Sequence, residues 1–355
     1  MKKFVFAASV LCSASVAVAG FNGVDVYNVS SVVPGEPLMF DVGVTDAFGR
    51  VAVVIGAPGQ TCPAQLGGQC VDVANARVAT VFRPDAPVPG FIGETSVTVV
   101  TPQAAVPGTS LVLQAVGLGR GLLDLSYPRD LVVAERLVGF GTWTAGGQSW
   151  EIEHQEIRSD VDTWTVAWSS VDGTRAVVED IDGFGYDAFD FAVAGDGSKW
   201  VCFADVNEDV WDLYDADLSD DADPATSGCN GGAWTLLEPA EVEIAGFFND
   251  NWGGTHTIES DTWEQGSGTW HVSRFSNFDG VVIAQNDETN TYSPGLWSRF
   301  DWIPDGSGGY YYCQVVFDAA SEWEARTAPA PDASNPEVDG CGSFNFSWSR
   351  LTSAP

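Results

Sequence analysis

Between Gln285 and Asp301 the chain reads QNDETNTYSPGLWSRFD. Gln285, Asn286, Asp287, Asn290 and Tyr292 are hydrogen-bonding side chains, and Trp297 adds an aromatic plane. Amides and a phenol beside such a plane can fix the orientation of a polar ligand. Arg299 and Asp301 are opposite charges two residues apart. On a strand they share a face, with Trp302 on the other. Arg299 is one of few cations in an acidic chain, so a carboxylate is expected to hold it as a structural ion pair. These eight residues form the candidate ligand-binding set.

Catalytic motifs do not emerge, and no catalytic residue is assigned. G-x-S-x-G and H-E-x-x-H are both missing from the sequence. The three histidines, His154, His256 and His271, read as surface or strand-packing residues. A carboxylate pair can hydrolyse glycosides without histidine, but 49 acidic residues supply some pair in any fold. Nine of them lie between Asp205 and Asp223. The stretch DVNED opens like a calcium loop, yet Val210 stands where the turn needs glycine and Ala216 where a bidentate glutamate is needed. The run is read as a solvated helix with an acidic first turn, with no metal and no cofactor.

The cysteines and an internal repeat position these residues. GSKWVCFADV around Cys202 matches GGYYYCQVVF around Cys313, 111 residues later. DTWTVAWSS matches GTWHVSRFS at 106, GQSWEIE matches GGTHTIE at 106, and FDF at Phe189 matches FDW at Phe300 at 111. Two copies therefore span 138–238 and 241–351. Cys202 and Cys229 are 27 apart and Cys313 and Cys341 are 28 apart, while Cys62 and Cys70 form a third local pair. An even count in a secreted chain argues for disulfides, and the repeat selects Cys62–Cys70, Cys202–Cys229 and Cys313–Cys341 from the fifteen possible pairings. Each longer bridge is expected to staple a strand to the chain returning after a helix. NEDVWDLYDADL provides the helix in the first copy; in the second, Asp318 can cap it, Ser321 lies three residues on and AASEWEA follows.

Residues 1–19 read as a signal peptide. Lys2 and Lys3 precede an apolar stretch too short to span a bilayer, and Ala17-Val18-Ala19 supplies small residues before the cut. No later segment reads as a transmembrane helix, so the expected location is periplasmic or extracellular. The net charge of −34 becomes two units more negative without Lys2 and Lys3. Such a chain repels phosphate backbones and anionic lipid, which excludes nucleic acid as a partner. Residues 20–134 hold none of the fourteen tryptophans and alternate short apolar runs with Gly/Pro turns, as in an immunoglobulin-like β-sandwich. Trp164/Trp270, Trp211/Trp323 and Trp234/Trp348 recur between the copies and are assigned to cores. Trp150, Trp168, Trp252, Trp263, Trp297 and Trp302 do not recur and include the candidates for exposed, sugar-stacking rings.

VVPGEPLMFDV resembles the opening of immunoglobulin-like domains in bacterial surface proteins, and GTW at Gly141–Trp143 resembles the start of lipocalin-like barrels. FNDNWGGTHTIESDTW, VIAQNDETNTYSPGLWSRFDW, YYYCQVVFDAASE and GCGSFNFSWSRL together resemble an uncharacterised repeat domain of bacterial secreted proteins and envelope lipoproteins. The resemblance covers most of 242–351 and implies an envelope location without implying an activity. The first copy departs from it at VVEDIDGFGYDAFDF. The expected fold is all-β with minor helix: an immunoglobulin-like sandwich, then two antiparallel meander or barrel domains, each with one short helix and one disulfide. The expected function is non-enzymatic binding or adhesion at the envelope, with a glycan or another envelope component as partner. Its rivals are a lipocalin-like barrel for a small ligand and a carboxylate-dependent glycoside hydrolase. A filled barrel would favour the first reading, a pocket of unrepeated aromatics the second, and two convergent buried carboxylates the third.

Overall fold

The computed structural model describes residues 24–354 except 28, 45–49, 63–69, 84–92, 103, 120–121, 181–184, 209–212, 214–218, 220–223, 227, 230–231 and 344. The expected signal segment, its cut near Ala19, the turn inside Cys62–Cys70 and most of the acidic run lie outside the described residues. Packing divides the chain into two compact units, Met1–Gly139 with Glu153–Ile157 and Thr163–Thr235, and Phe140–Ile152 with Arg158–Asp162 and Leu236–Pro355.

Eight strands open the chain: β1 (Val24–Tyr27), β2 (Pro37–Val44), β3 (Arg50–Thr61), β4 (Val71–Phe82), β5 (Gly93–Val100), β6 (Ser110–Gly119), β7 (Leu122–Leu125) and β8 (Arg129–Val132). They form one sheet in the order β1-β2-β5 and a second in the order β4-β3-β6-β7, with β8 on β6. Alternation drives the packing. Leu38, Phe40, Val42 and Val44 of β2 bury one face of the first sheet against Val51, Val53, Leu113 and Ala115 of the second. Apolar side chains two apart leave water together when a strand lies flat on another sheet.

The next eight strands, β9 (Gly141–Ala145), β10 (Gln148–Ile152), β11 (Glu156–Ser159), β12 (Thr163–Ser169), β13 (Arg175–Asp180), β14 (Tyr186–Val193), β15 (Lys199–Glu208) and β16 (Thr235–Pro239), close into a barrel. β16 returns to β9 through Glu238↔Thr144. A second closed barrel follows: β17 (Gly246–Asp250), β18 (Thr255–Ile258), β19 (Thr262–Gln265), β20 (Gly268–Ser276), β21 (Val281–Asn286), β22 (Trp297–Pro304), β23 (Tyr310–Ala319) and β24 (Ser349–Ser353). Its seam is Phe248↔Ser353. Closure removes the unpaired edges that would otherwise template association. The two barrels share details beyond strand number. A register shift falls between Val166 and Trp168 in one and between Val272 and Arg274 in the other. Trp164 meets Phe189 edge-on at 5.2 Å, and Trp270 meets Phe300 edge-on at 5.5 Å.

The three disulfides are Cys62–Cys70, Cys202–Cys229 and Cys313–Cys341, the pairs the sequence selects. Residues 320–348 leave β23 and run along the outside of the second barrel before entering β24. Cys341 fastens this excursion to Cys313, where Tyr311, Cys313 and Trp348 bury one another. Gly340 has a positive φ of 95°, and a Cβ there would collide with the Asp332 carbonyl. A bridge of this span stabilises by about 3 kcal/mol on the chain-entropy estimate.

The helix in this excursion, α1 (Glu322–Arg326), is capped by Ser321, whose hydroxyl accepts from Glu324 N–H. Asp318 is not the cap. It lies in β23, which runs on to Ala319 before the chain turns. The helix expected from Asn207 does not begin there, because β15 extends through Glu208; of the rest of that stretch, all residues but Leu213 lie outside the described residues.

Many aspartates serve as turn clamps. Asp172, Asp196, Asp287, Asp305 and Asp332 each accept the backbone N–H two residues on, from Thr174, Ser198, Thr289, Ser307 and Ser334. Side-chain carboxylates mimic a backbone turn in this way, so part of the acidic composition is structural.

Candidate functional site

The segment 285–301 folds as the end of β21, a ten-residue connection and the start of β22. Asn286 is its organising residue. Its amide donates to Ser293 O at 2.7 Å and Phe317 O at 2.9 Å, while its Oδ1 accepts from Ser298 Oγ at 2.6 Å. Both amide protons are thereby used on protein, and the side chain is buried. Asn290 pairs like a strand residue with Thr269, donating to its carbonyl at 2.7 Å and accepting from its N–H at 2.9 Å.

Asp287 accepts from Thr289 and holds His271 Nε2 at 2.7 Å. Hydrogen bonds from Thr289, then from His271, bring its pKa down to about 2. Gln285 is exposed and donates to Gly295 O. Trp297 is half-buried against Ile283, Ala319 and Ala325. Tyr292 stands out at 83% exposed.

Arg299 and Asp301 form a buried fork, Nε to Oδ2 at 2.8 Å and the second guanidinium nitrogen to Oδ1 at 2.7 Å. The remaining guanidinium nitrogen donates to the carbonyls of Arg326, the last residue of α1, and Ala328 beyond it. Burial raises the Asp301 pKa against the pull of Arg299. The pair thus anchors the outer excursion to the barrel wall, and Trp302 faces the opposite side in the core. The structure accordingly splits the eight candidates. Asn286, Asn290, Arg299 and Asp301 are committed to internal bonds and Trp297 to packing under α1, whereas Tyr292, Gln285 and the Asp287–His271 pair reach solvent.

A second fork was missed in the sequence. In the first barrel Arg175 clasps Asp190, Nε to Oδ1 at 2.5 Å and a terminal nitrogen to Oδ2 at 2.8 Å, and also donates to Leu213 O. Asp190 and Asp301 are the matched aspartates of FDF and FDW, but the arginine comes from β13 in one barrel and from β22 in the other. Arg175 faces Asp190 across the strand pair, while Val281 faces Asp301 and Ala188 occupies the place of Arg299. The matched aspartates were the available signal; a search for a partner at constant offset could not find an arginine that changes strand.

The unrepeated tryptophans also divide. Trp263 and Trp302 are buried, and Trp252 is 70% exposed. Trp263 donates Nε1–H to His256 Nδ1 at 3.2 Å, which leaves His256 Nε2–H to donate to Asp250 at 3.0 Å. Around this chain Trp263, Phe300, Trp302, Tyr312, Phe248, Ile258, Val282 and Leu351 fill the interior of the second barrel, with Trp263 stacked on Phe300 at 4.5 Å. Among the described residues no group of three or more His, Cys, Asp or Glu is placed to hold a metal, and no helix is long and apolar enough to cross a membrane.

No family model matches the chain, and no curated protein matches it. Among solved structures it is similar to a cycloalternan-degrading enzyme from Trueperella pyogenes in complex with isomaltose, at 11% identity and a TM-score of 0.19. That alignment covers 86% of this chain and 34% of the other, and a superposition so loose supports neither a shared fold nor a shared activity.

Proposed function

We propose that this is a secreted, non-enzymatic binding protein of the bacterial envelope, built from a sandwich and a duplicated barrel, that engages its partner through exterior surfaces. The observation that carries this reading is the filled interior of the second barrel, where aromatic side chains occupy the space a lipocalin-like ligand would need. Three disulfides fit an oxidising compartment. The best-placed contact in the candidate set is Tyr292, a large side chain held out into solvent on a hairpin fixed by Asn286 and Asn290. Aromatic rings displayed on rigid loops supply contact area at low entropic cost. Replacing Tyr292 with alanine should leave thermal stability unchanged and weaken retention of the full chain on isolated envelope polysaccharide severalfold. Unchanged retention would remove this hairpin from the binding surface.

A further inference from the structure

The outer wall of the first barrel carries a cavity of about 350 Å³, at the small end of the range of ligand sites (roughly 300–1,000 Å³). We propose that it binds a hexose without acidic substituents, stacked beside Trp168 and hydrogen-bonded to Asp172. This rests on the reading of the protein as an envelope binder and names a site and ligand class for it.

The lining sets the class of ligand. Trp168 and Trp234 supply aromatic walls, and Asp172, Arg175, Asp190 and Ser219 supply polar groups. Arg175 is forked onto Asp190, and Ser219 donates to the same carboxylate at 2.5 Å. That cation is therefore matched by a carboxylate, and the three charged groups sum to one negative charge. A phosphate or uronate would meet net repulsion. A purely apolar ligand would strip water from Asp172 and the hydroxyls without replacing their bonds.

Asp172 has capacity to spare. Its Oδ1 takes the Ser170 hydroxyl at 2.7 Å, the Thr174 hydroxyl at 2.8 Å and the Thr174 N–H at 3.2 Å. Burial pushes its pKa up, but these hydrogen bonds outweigh burial and leave it below the usual value, so it is an ionised acceptor at neutral pH. Its Oδ2 accepts from no described residue and can take sugar hydroxyls or a sugar ammonium. An amino sugar should bind more tightly than its neutral parent for that reason. In the second barrel Arg274 and Phe278 replace Trp168 and Asp172 at the 106-residue offset, and Arg274 pairs with Glu322, so the site belongs to the first barrel.

The test is ligand-observed NMR on the full chain with glucosamine, glucose and glucuronate. Glucosamine and glucose should give saturable transfer with dissociation constants on the order of millimolar, glucosamine the tighter, and glucuronate should give none. Asp172→Asn should erase the advantage of glucosamine, and Trp168→Ala should weaken both sugars at least tenfold. Trp168 also packs on Val177 and Leu213, so the Asp172→Asn result stands as the decisive variant if Trp168→Ala unfolds. Absence of saturation at 50-fold above the expected constant, equal binding of glucuronate, or an unchanged preference in Asp172→Asn would overturn the site. Retention of the chain on envelope polysaccharide alongside any of those results would sink this pocket alone; loss of both would sink the binding reading.

Discussion

At the scale of the residue, the informative distinction is between polar side chains spent inside the protein and those left for a partner. Asn286 and Tyr292 lie six positions apart in one polar stretch, yet one is sealed by three hydrogen bonds and the other is solvated. Asn286→Ala should therefore cost about 2 kcal/mol, because it removes three hydrogen bonds of a buried side chain and leaves the buried Ser298 hydroxyl without its acceptor. A drop in the chemical-denaturation free energy of the full chain checks this, and a neutral Asn286→Ala would contradict the assigned bonds. Composition suggested polar recognition and could not separate these roles, because an asparagine that closes a loop and one that binds a sugar look alike in sequence. The ion pair of Arg299 was legible, since cations are few and carboxylates many in this chain. The Arg175 pair was not, because its register depends on which strands become neighbours.

At the scale of the element, the strands were legible from alternation and the bridges from the repeat, while helix starts were misplaced. Asp318 and Ser321 are both good caps in isolation; the choice was made by β23, whose pairing with Trp297 of β22 holds Ala319 in the sheet. The described residues of the excursion from β23 to β24 form no sheet of their own, and it is fastened by the Arg299 fork, the Arg274–Glu322 pair, the Tyr311–Glu337 hydrogen bond, the Trp348 packing and Cys341. Cys341→Ser, with Cys313→Ser to avoid a stray thiol, should destabilise by about 3 kcal/mol. Hydrogen exchange should then accelerate in residues 320–348 while β2 and β3 keep their protection. Uniform acceleration across the chain would contradict a local role for the bridge.

At the scale of the whole molecule, the acidic residues include turn clamps and buried arginine partners besides solvated surface, and the clamps make stability depend on pH. Burial raises Asp250, but hydrogen bonds from His256 and backbone amides outweigh it; Asp287 and Asp305 also titrate below their ordinary value, through hydrogen bonds from backbone amides and from hydroxyl, histidine and arginine partners. A depressed carboxylate contributes stability above its unfolded pKa and loses it as pH falls through the folded value. His256 is depressed by burial, only partly offset by Asp250. Folding therefore keeps it neutral where the unfolded chain takes a proton, and stability also falls as pH drops below about 6.5. Burial moves Asp301 and Asp25 the other way and softens the acid loss. A melting temperature that declines from pH 6.5 and steeply below pH 4, with His256 showing the Nε2–H tautomer by NMR at pH 6.5, is the expected profile; a flat profile or a charged His256 would contradict it. The all-β architecture and its three local bridges were legible because alternation and spacing are physical constraints, whereas a proposed binding surface carries no such constraint on its sequence pattern. The proposed role is binding without turnover. Sedimentation of the full chain with isolated bacterial envelope polysaccharide, with new reducing ends counted in the same tube, tests it most directly. Protein in the pellet with no reducing ends above the blank is the expected outcome, whereas reducing ends that grow with time, or protein that stays wholly in the supernatant, would overturn that role.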